Sequence, residues 1–244
     1  MCGICGELRL DGTATDLQAV SRMTDKLARR GPDDAGSYSD GPLTFGHRRL
    51  SVIDLSEHAH QPMEDAQLQL TLVFNGTIYN YRELRIELQA LGYVFFSEGD
   101  SEVILKAYHA WGARCVTRFL GMFAFAIWDR RSQQLFLARD RFGIKPLYLT
   151  QNAQRLRFAS SLPALLAGGG VDTALDPVAL HHHFTLHTVV PAPRTVLRGV
   201  RKLPPATTLL LQSDGSGSPQ IYWQLDATRP ETTLTDTQWL QATR

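Results

Sequence analysis

Met1-Cys2-Gly3-Ile4-Cys5-Gly6 opens the chain, and the reading of the other segments follows from it. Removal of the initiator methionine would leave Cys2 first, with a thiol and a free α-amine in one residue. A free thiol is mostly protonated at neutral pH and needs a base nearby. An α-amine titrates at about 8, so an appreciable part of it is neutral and can take that proton, directly or through a water. The chain thus starts with a candidate nucleophile that carries its own general base. Residues 2–10 read as a strand, with glycines where the backbone must pack closely. Cys2 and Cys5 also have C-x-x-C spacing, as a redox pair or half a zinc site would. On a strand, residues three apart point to opposite faces, so these two thiols cannot chelate together. Cys115 stands alone and His181-His182-His183 has no paired ligand spacing. Cys5 and Cys115 therefore read as core filler.

Composition narrows the class. With 43% apolar and 20% charged residues, the 244-residue chain has ample material for a buried core. Twenty-five basic residues against twenty-four acidic ones give a net charge of +1. That balance leaves no electrostatic footprint for nucleic acid or an anionic membrane. No signal-peptide run and no stretch of about 20 apolar residues occurs, which excludes a membrane span. Three cysteines, an odd number, suit a reducing compartment, and the chain is expected to be cytoplasmic.

Along the chain, Asp16 caps a predicted helix through Leu27, which breaks at Arg30-Gly31-Pro32-Asp33. Leu43 to Ile53 is strand-like, but Arg48 or Arg49 must reach solvent, a carboxylate or a ligand. Residues 70–74 form an apolar strand ended by Asn75-Gly76, which by itself would be a hairpin turn. The amphipathic stretch from Ile78 to Gly92 makes the connection strand to loop to helix instead. Such strand ends free backbone N–H groups for anions. Asp100 or Ser101 then caps a helix over Val103 to Trp111, with capping and ligand binding equally open for Asp100. Apolar strands follow at 122–128, 135–138, 147–150 and 156–159, consistent with antiparallel sheets packed against helices. Gly168-Gly169-Gly170 is a flexible break, Asp176-Pro177 opens a helix containing the three histidines, and Leu234 to Leu240 reads as the first turns of a last helix.

MCGICG, RRGPD, GHRRLSVID, QPM, FNGTIYNYREL, EGDSEVILKAY, GMFAFAIWD and RDRFGIKPLY occur in that order. Together they resemble asparagine-synthetase-like glutamine amidotransferases of the class II, N-terminal-nucleophile type. SEGDSEVILKAYHAWG and VVPAPRTVLRGVRKLPP are most similar to N-acetylglutaminylglutamine amidotransferases. The resemblance implies an α+β fold, a four-layer αββα sandwich of antiparallel sheets. It implies that Cys2 attacks the side-chain amide of glutamine, giving a γ-glutamyl thioester and ammonia. Arg49 would hold the substrate α-carboxylate, Asn75 and Gly76 would form the oxyanion hole, and Asp100 would hold the ammonium. The commoner motif NGEIYN has Glu where this chain has Thr77, which leaves Asp100 as the carboxylate for that ammonium.

The resemblance further implies a glutaminase domain over 1–225, then a linker and first helix of a truncated ATP-dependent synthetase domain over 226–244. The SGG-x-DS pyrophosphate loop of such a domain does not occur in the chain. The implied partners are L-glutamine and the chain's own C-terminal synthetase domain, with a homodimer left open. ATP and magnesium belong to that further domain, and no cofactor is expected here. The alternative from another class is a non-catalytic docking or regulatory module. It has no chemical need for Cys2, Arg49, Asn75, Gly76 and Asp100 together.

Overall fold

The computed structural model describes residues 1–227 and 234–242. Two six-stranded antiparallel sheets lie face to face. The first contains β1 (Gly3–Arg9), β2 (Asp34–Asp40), β3 (Leu43–Arg49), β8 (Tyr148–Gln151), β9 (Arg155–Ala159) and β10 (Arg201–Lys202), in the order β10-β8-β9-β1-β3-β2. The second contains β4 (Met63–Asp65), β5 (Leu70–Ile78), β6 (Gly121–Asp129), β7 (Gln134–Arg139), β11 (Thr207–Leu211) and β12 (Pro219–Ile221), in the order β12-β11-β7-β6-β5-β4.

Alternation along each strand sorts the apolar side chains into separate layers. Ile4, Leu8, Phe45, Val73, Ala124, Trp128 and Phe158 form the core between the sheets. The opposite face of the first sheet, including Cys5 and Ala159, is covered by Val20, Met23 and Leu165 of α1 (Leu17–Lys26) and α4 (Leu162–Ala167). On the second sheet, Phe74, Ile78, Phe125 and Phe136 pack under α2 (Tyr81–Ala90) and α3 (Asp100–Trp111). The fold is therefore the αββα sandwich. Beyond it run α5 (Pro177–Thr185), which contains the three histidines, and α6 (Asp236–Ala242). No described helix is long and apolar enough to cross a membrane.

The departures from the sequence reading have local causes. Strand β5 does not end at Asn75-Gly76; it continues to Ile78 because Gly76 pairs with Phe123 and Ile78 with Gly121 of β6. Strand β3 stops at Arg49, short of Ile53. Helix α3 starts at Asp100, whose side chain is turned to Ile78 N–H, so neither Asp100 nor Ser101 caps it. Strand β2 (DAGSYSD) has alternating half-buried and exposed polar positions and no apolar run to announce it. The glycine break after α4 is pinned rather than loose: Arg157 Nη1 donates to Gly168 O at 2.7 Å and Gly169 O at 2.8 Å.

Arg157 also donates through Nε to Glu7 Oε2 at 2.5 Å, and Glu7 Oε1 accepts from Asp16 N–H at 2.9 Å. This buried pair ties both outer helices to the first sheet. Replacing Arg157 with Met leaves the Glu7 carboxylate buried and unpaired, so we expect a loss of about 3–5 kcal/mol. Denaturant unfolding of Arg157→Met against Glu7→Gln/Arg157→Met checks this, and the double variant should be the more stable of the two.

Candidate active site

Cys2 immediately precedes β1 and shares the alternation of Ile4 and Leu8, so its side chain turns toward the space between the sheets. Cys5 faces the other way, under α1, where Thr24 Oγ1 lies 3.3 Å from its sulfur. Burial pushes the Cys5 thiol up to about 12, which keeps it inert. The two thiols of the C-x-x-C are thus separated as the strand argument requires, and all three cysteines are free. Among the described residues no three or more His, Cys, Asp or Glu side chains gather as if to hold a metal. Cys2 Sγ accepts from Leu50 N–H at 3.3 Å, and Arg30 Nε donates to Cys2 O at 3.0 Å.

The same alternation resolves the two arginines of β3. Arg48 turns outward and donates to Thr24 O and the Asp25 carboxylate of α1. Arg49, in phase with Phe45 and His47, turns inward and is buried. Its Nη1 donates to Ser56 O at 3.2 Å and its Nη2 to Asp54 O. Each terminal nitrogen keeps a second hydrogen for a ligand.

The outer edge of β5 supplies the other half of the site. Phe123 N–H turns to the Asp140 carboxylate, away from β5, so the facing Gly76 N–H points outward instead of across the ladder. On this edge Phe74 N–H donates to Gln61 Oε1 at 2.7 Å and Ile78 N–H to Asp100 Oδ2 at 2.9 Å. Between them, Gly76 N–H has no partner among the described residues. Only glycine fits there: a Cβ would sit 2.2 Å from Met122 O. Asn75 points to the inner face. It is fully buried, yet neither its Nδ2 nor its Oδ1 has a hydrogen bond. Unpaired buried amides are costly, and these face a cavity.

That cavity, about 170 Å³, is lined by Cys2, Arg49, Asn75, Gly76, Thr77 and Asp100, so every site residue named from the sequence is brought together. Asp100 is its only carboxylate among the described residues. Burial raises the Asp100 carboxyl to about 6, opposed by hydrogen bonds from Ile78 N–H and the N–H groups of Asp100 and Ser101. Sequence reasoning missed four supporting residues: Gln61, Arg30, His47 and Lys145. Gln61 also donates to Ser101 Oγ at 3.2 Å, bracing the Phe74 end of the edge. His47 Nε2 lies 3.2 Å from Phe74 O, and burial holds its imidazole down at about 3. These residues stand in QPM, RRGPD, GHRRLSVID and RDRFGIKPLY, so the motifs marked the segments but not which side chain acts.

The family pattern described as "Glutamine amidotransferase domain" matches residues 1–223. The chain is 44% identical to a putative glutamine-hydrolysing asparagine synthetase of Mycobacterium tuberculosis, over 76% of this chain and 30% of that protein. It is 35% identical to glutamine-hydrolysing asparagine synthetase 3 of Bacillus subtilis, over 97% of this chain and 39% of that protein. The chain therefore spans less than half the length of either relative. In fold it is similar to the glutamine phosphoribosylpyrophosphate amidotransferase of B. subtilis, with a TM-score of 0.68 at 18% identity, covering 92% of this chain and 50% of that one. The match across residues 1–223 makes this chain a member of the glutamine amidotransferase domain family.

Proposed function

We propose that this chain hydrolyses the side-chain amide of L-glutamine, with Cys2 as nucleophile once Met1 is removed. The observation that carries the reading is the buried Asn75 Nδ2 without a partner, beside the outward-turned N–H of half-buried Gly76, at the cavity that Cys2 lines. In this reading the Arg49 fork holds the substrate α-carboxylate and Asp100 its ammonium, with Thr77 also on the cavity wall. The thiol gives its proton to the Cys2 α-amine, and a bond forms between Sγ and the amide carbon. Charge developing on the amide oxygen is met by Gly76 N–H and Asn75 Nδ2. The C–N bond then breaks as the α-ammonium returns its proton to the leaving nitrogen, releasing ammonia. Water opens the γ-glutamyl thioester to glutamate.

We assign residues 1–225 to this glutaminase unit and 226–244 to a linker and the start of a synthetase domain. Positions 228–233 and 243–244 of that second segment lie outside the described residues. The names of the relatives support transfer of the ammonia to a carboxylate activated in such a domain, which would hold ATP and magnesium itself. Resemblance of 97–112 and 189–205 to N-acetylglutaminylglutamine amidotransferases supports an acylated dipeptide as acceptor. Following amide-labelled nitrogen from glutamine in the full-length protein tests that acceptor. A reducing cytoplasm suits an unpaired Cys2.

Cys2→Ala should abolish glutamate release while glutamine still binds, as enzymatic glutamate assay and calorimetry would show. A Cys2→Ala protein that turns over normally would overturn Cys2 as the nucleophile, whereas an unaltered protein that releases no glutamate would support the docking-module reading. Asn75→Ala should lower turnover by roughly two to three orders of magnitude, the usual loss for one oxyanion donor. Arg49→Lys keeps the charge but not the fork, and should act chiefly on KM. Acidification through about 6 protonates Asp100 and removes the partner of the substrate ammonium, so KM for glutamine should rise as pH falls through that value. Asp100→Asn should flatten this dependence.

A further inference from the structure

Lys145 lies in the turn between β7 and β8 and lines the same cavity as Cys2. It is 3% exposed. Three other buried cations among the described residues are compensated. Lys106 has Asp65 at 2.5 Å, Arg157 has Glu7 at 2.5 Å, and Arg139 donates to the carbonyls of Gly143, Lys145 and Leu203. Lys145 Nζ has one acceptor among the described residues, the thioether of Met1 at 3.1 Å. A thioether is a weak acceptor, and a buried ammonium is costly without an anion. Asp140, whose charge acts on Lys145, is already engaged: its carboxylate accepts the N–H groups of Phe123, Phe142, Ile144 and Lys145. Removal of Met1 takes away even the thioether and leaves the ammonium facing the newly exposed Cys2.

We propose that Lys145 is a positioning residue for the nucleophile: its buried charge is left uncompensated so that the anion forming on Cys2 Sγ becomes its counterion. The assignment rests on the glutaminase reading for its purpose but not for its test. The charged groups around Cys2 and the chain start sort by role. Arg30 is committed to Cys2 O, Asp33 to Ser51 N–H and Asp140 to its four backbone donors. Arg49 and Asp100 serve the two ends of the substrate. Arg30 Nη2 is also buried without a hydrogen bond, but of these two cations only Lys145 lines the cavity that Cys2 lines. Burial also lowers its own pKa, in keeping with a cation short of partners. A lysine near a thiol favours the thiolate and discourages protonation of a neighbouring amine, so one charge assists both halves of Cys2.

The test is the pH dependence of Cys2 alkylation by iodoacetamide in the full-length protein, located by peptide mass spectrometry. Cys5 and Cys115, both fully buried, are the unreactive internal controls. In Lys145→Met the alkylation profile should move to higher pH by about one unit, roughly tenfold slower alkylation at neutral pH. Lys145→Arg should keep the wild-type profile. Glutamine turnover should fall in step with alkylation, with KM little changed. Lys145→Gln provides the same comparison if the Met variant does not fold. A profile in either neutral variant that superposes on wild type overturns the proposal. A shifted profile in a protein that releases no glutamate would leave Lys145 assigned and overturn the glutaminase reading.

Discussion

Phe123 donates its N–H to Asp140 and not to the strand it pairs with, and this sets the direction of the N–H groups along the outer edge of β5. Phe74, Gly76 and Ile78 all turn theirs outward. Gln61 takes the first and Asp100 the last, which fixes the edge on both sides of the gap. An exposed sheet edge would ordinarily be a liability open to any passing strand. Here two side chains close most of it and leave a single donor for a ligand. Asp140 accepts three further N–H groups in its own turn, so one carboxylate holds both the ladder and the loop that carries Lys145.

The second constraint is the pleat of the two sheets. Cys2 and Arg49 come from one sheet and Asn75 from the other, each at an inward phase of its strand. No long loop is needed to bring them together, because strand phase already turns all three toward the space between the sheets. His47 Nε2 spans that space to Phe74 O and keeps the sheets in register at the site. The neutral imidazole enforced by burial suits this, since a charged ring there would be desolvated beside Arg49.

Much of this was legible in residues taken singly. Alternation in CGICGELRL separates Cys2 from Cys5, and an arginine pair inside a strand signals that one of them must reach solvent, a carboxylate or a ligand. The extension of β5 through Asn75-Gly76 was not legible, because that dipeptide is also a strong turn signal. Its strand conformation depends on pairing with Gly121–Phe123, more than forty residues away. The role of Asp100 was hidden for a similar reason. A carboxylate at a helix start reads as a cap, and only the passing edge of β5 shows that it is turned elsewhere. Lys145 was invisible because its meaning lies in the absence of a counterion, which no sequence pattern records.

The most direct measurement is rapid acid quench of the full-length protein with glutamine, followed by mass spectrometry of the N-terminal peptide. The account predicts a γ-glutamyl thioester on Cys2, confined to chains that begin at Cys2 and absent from any that retain Met1. An adduct on another residue, or glutamine turnover by chains that keep Met1, would contradict it.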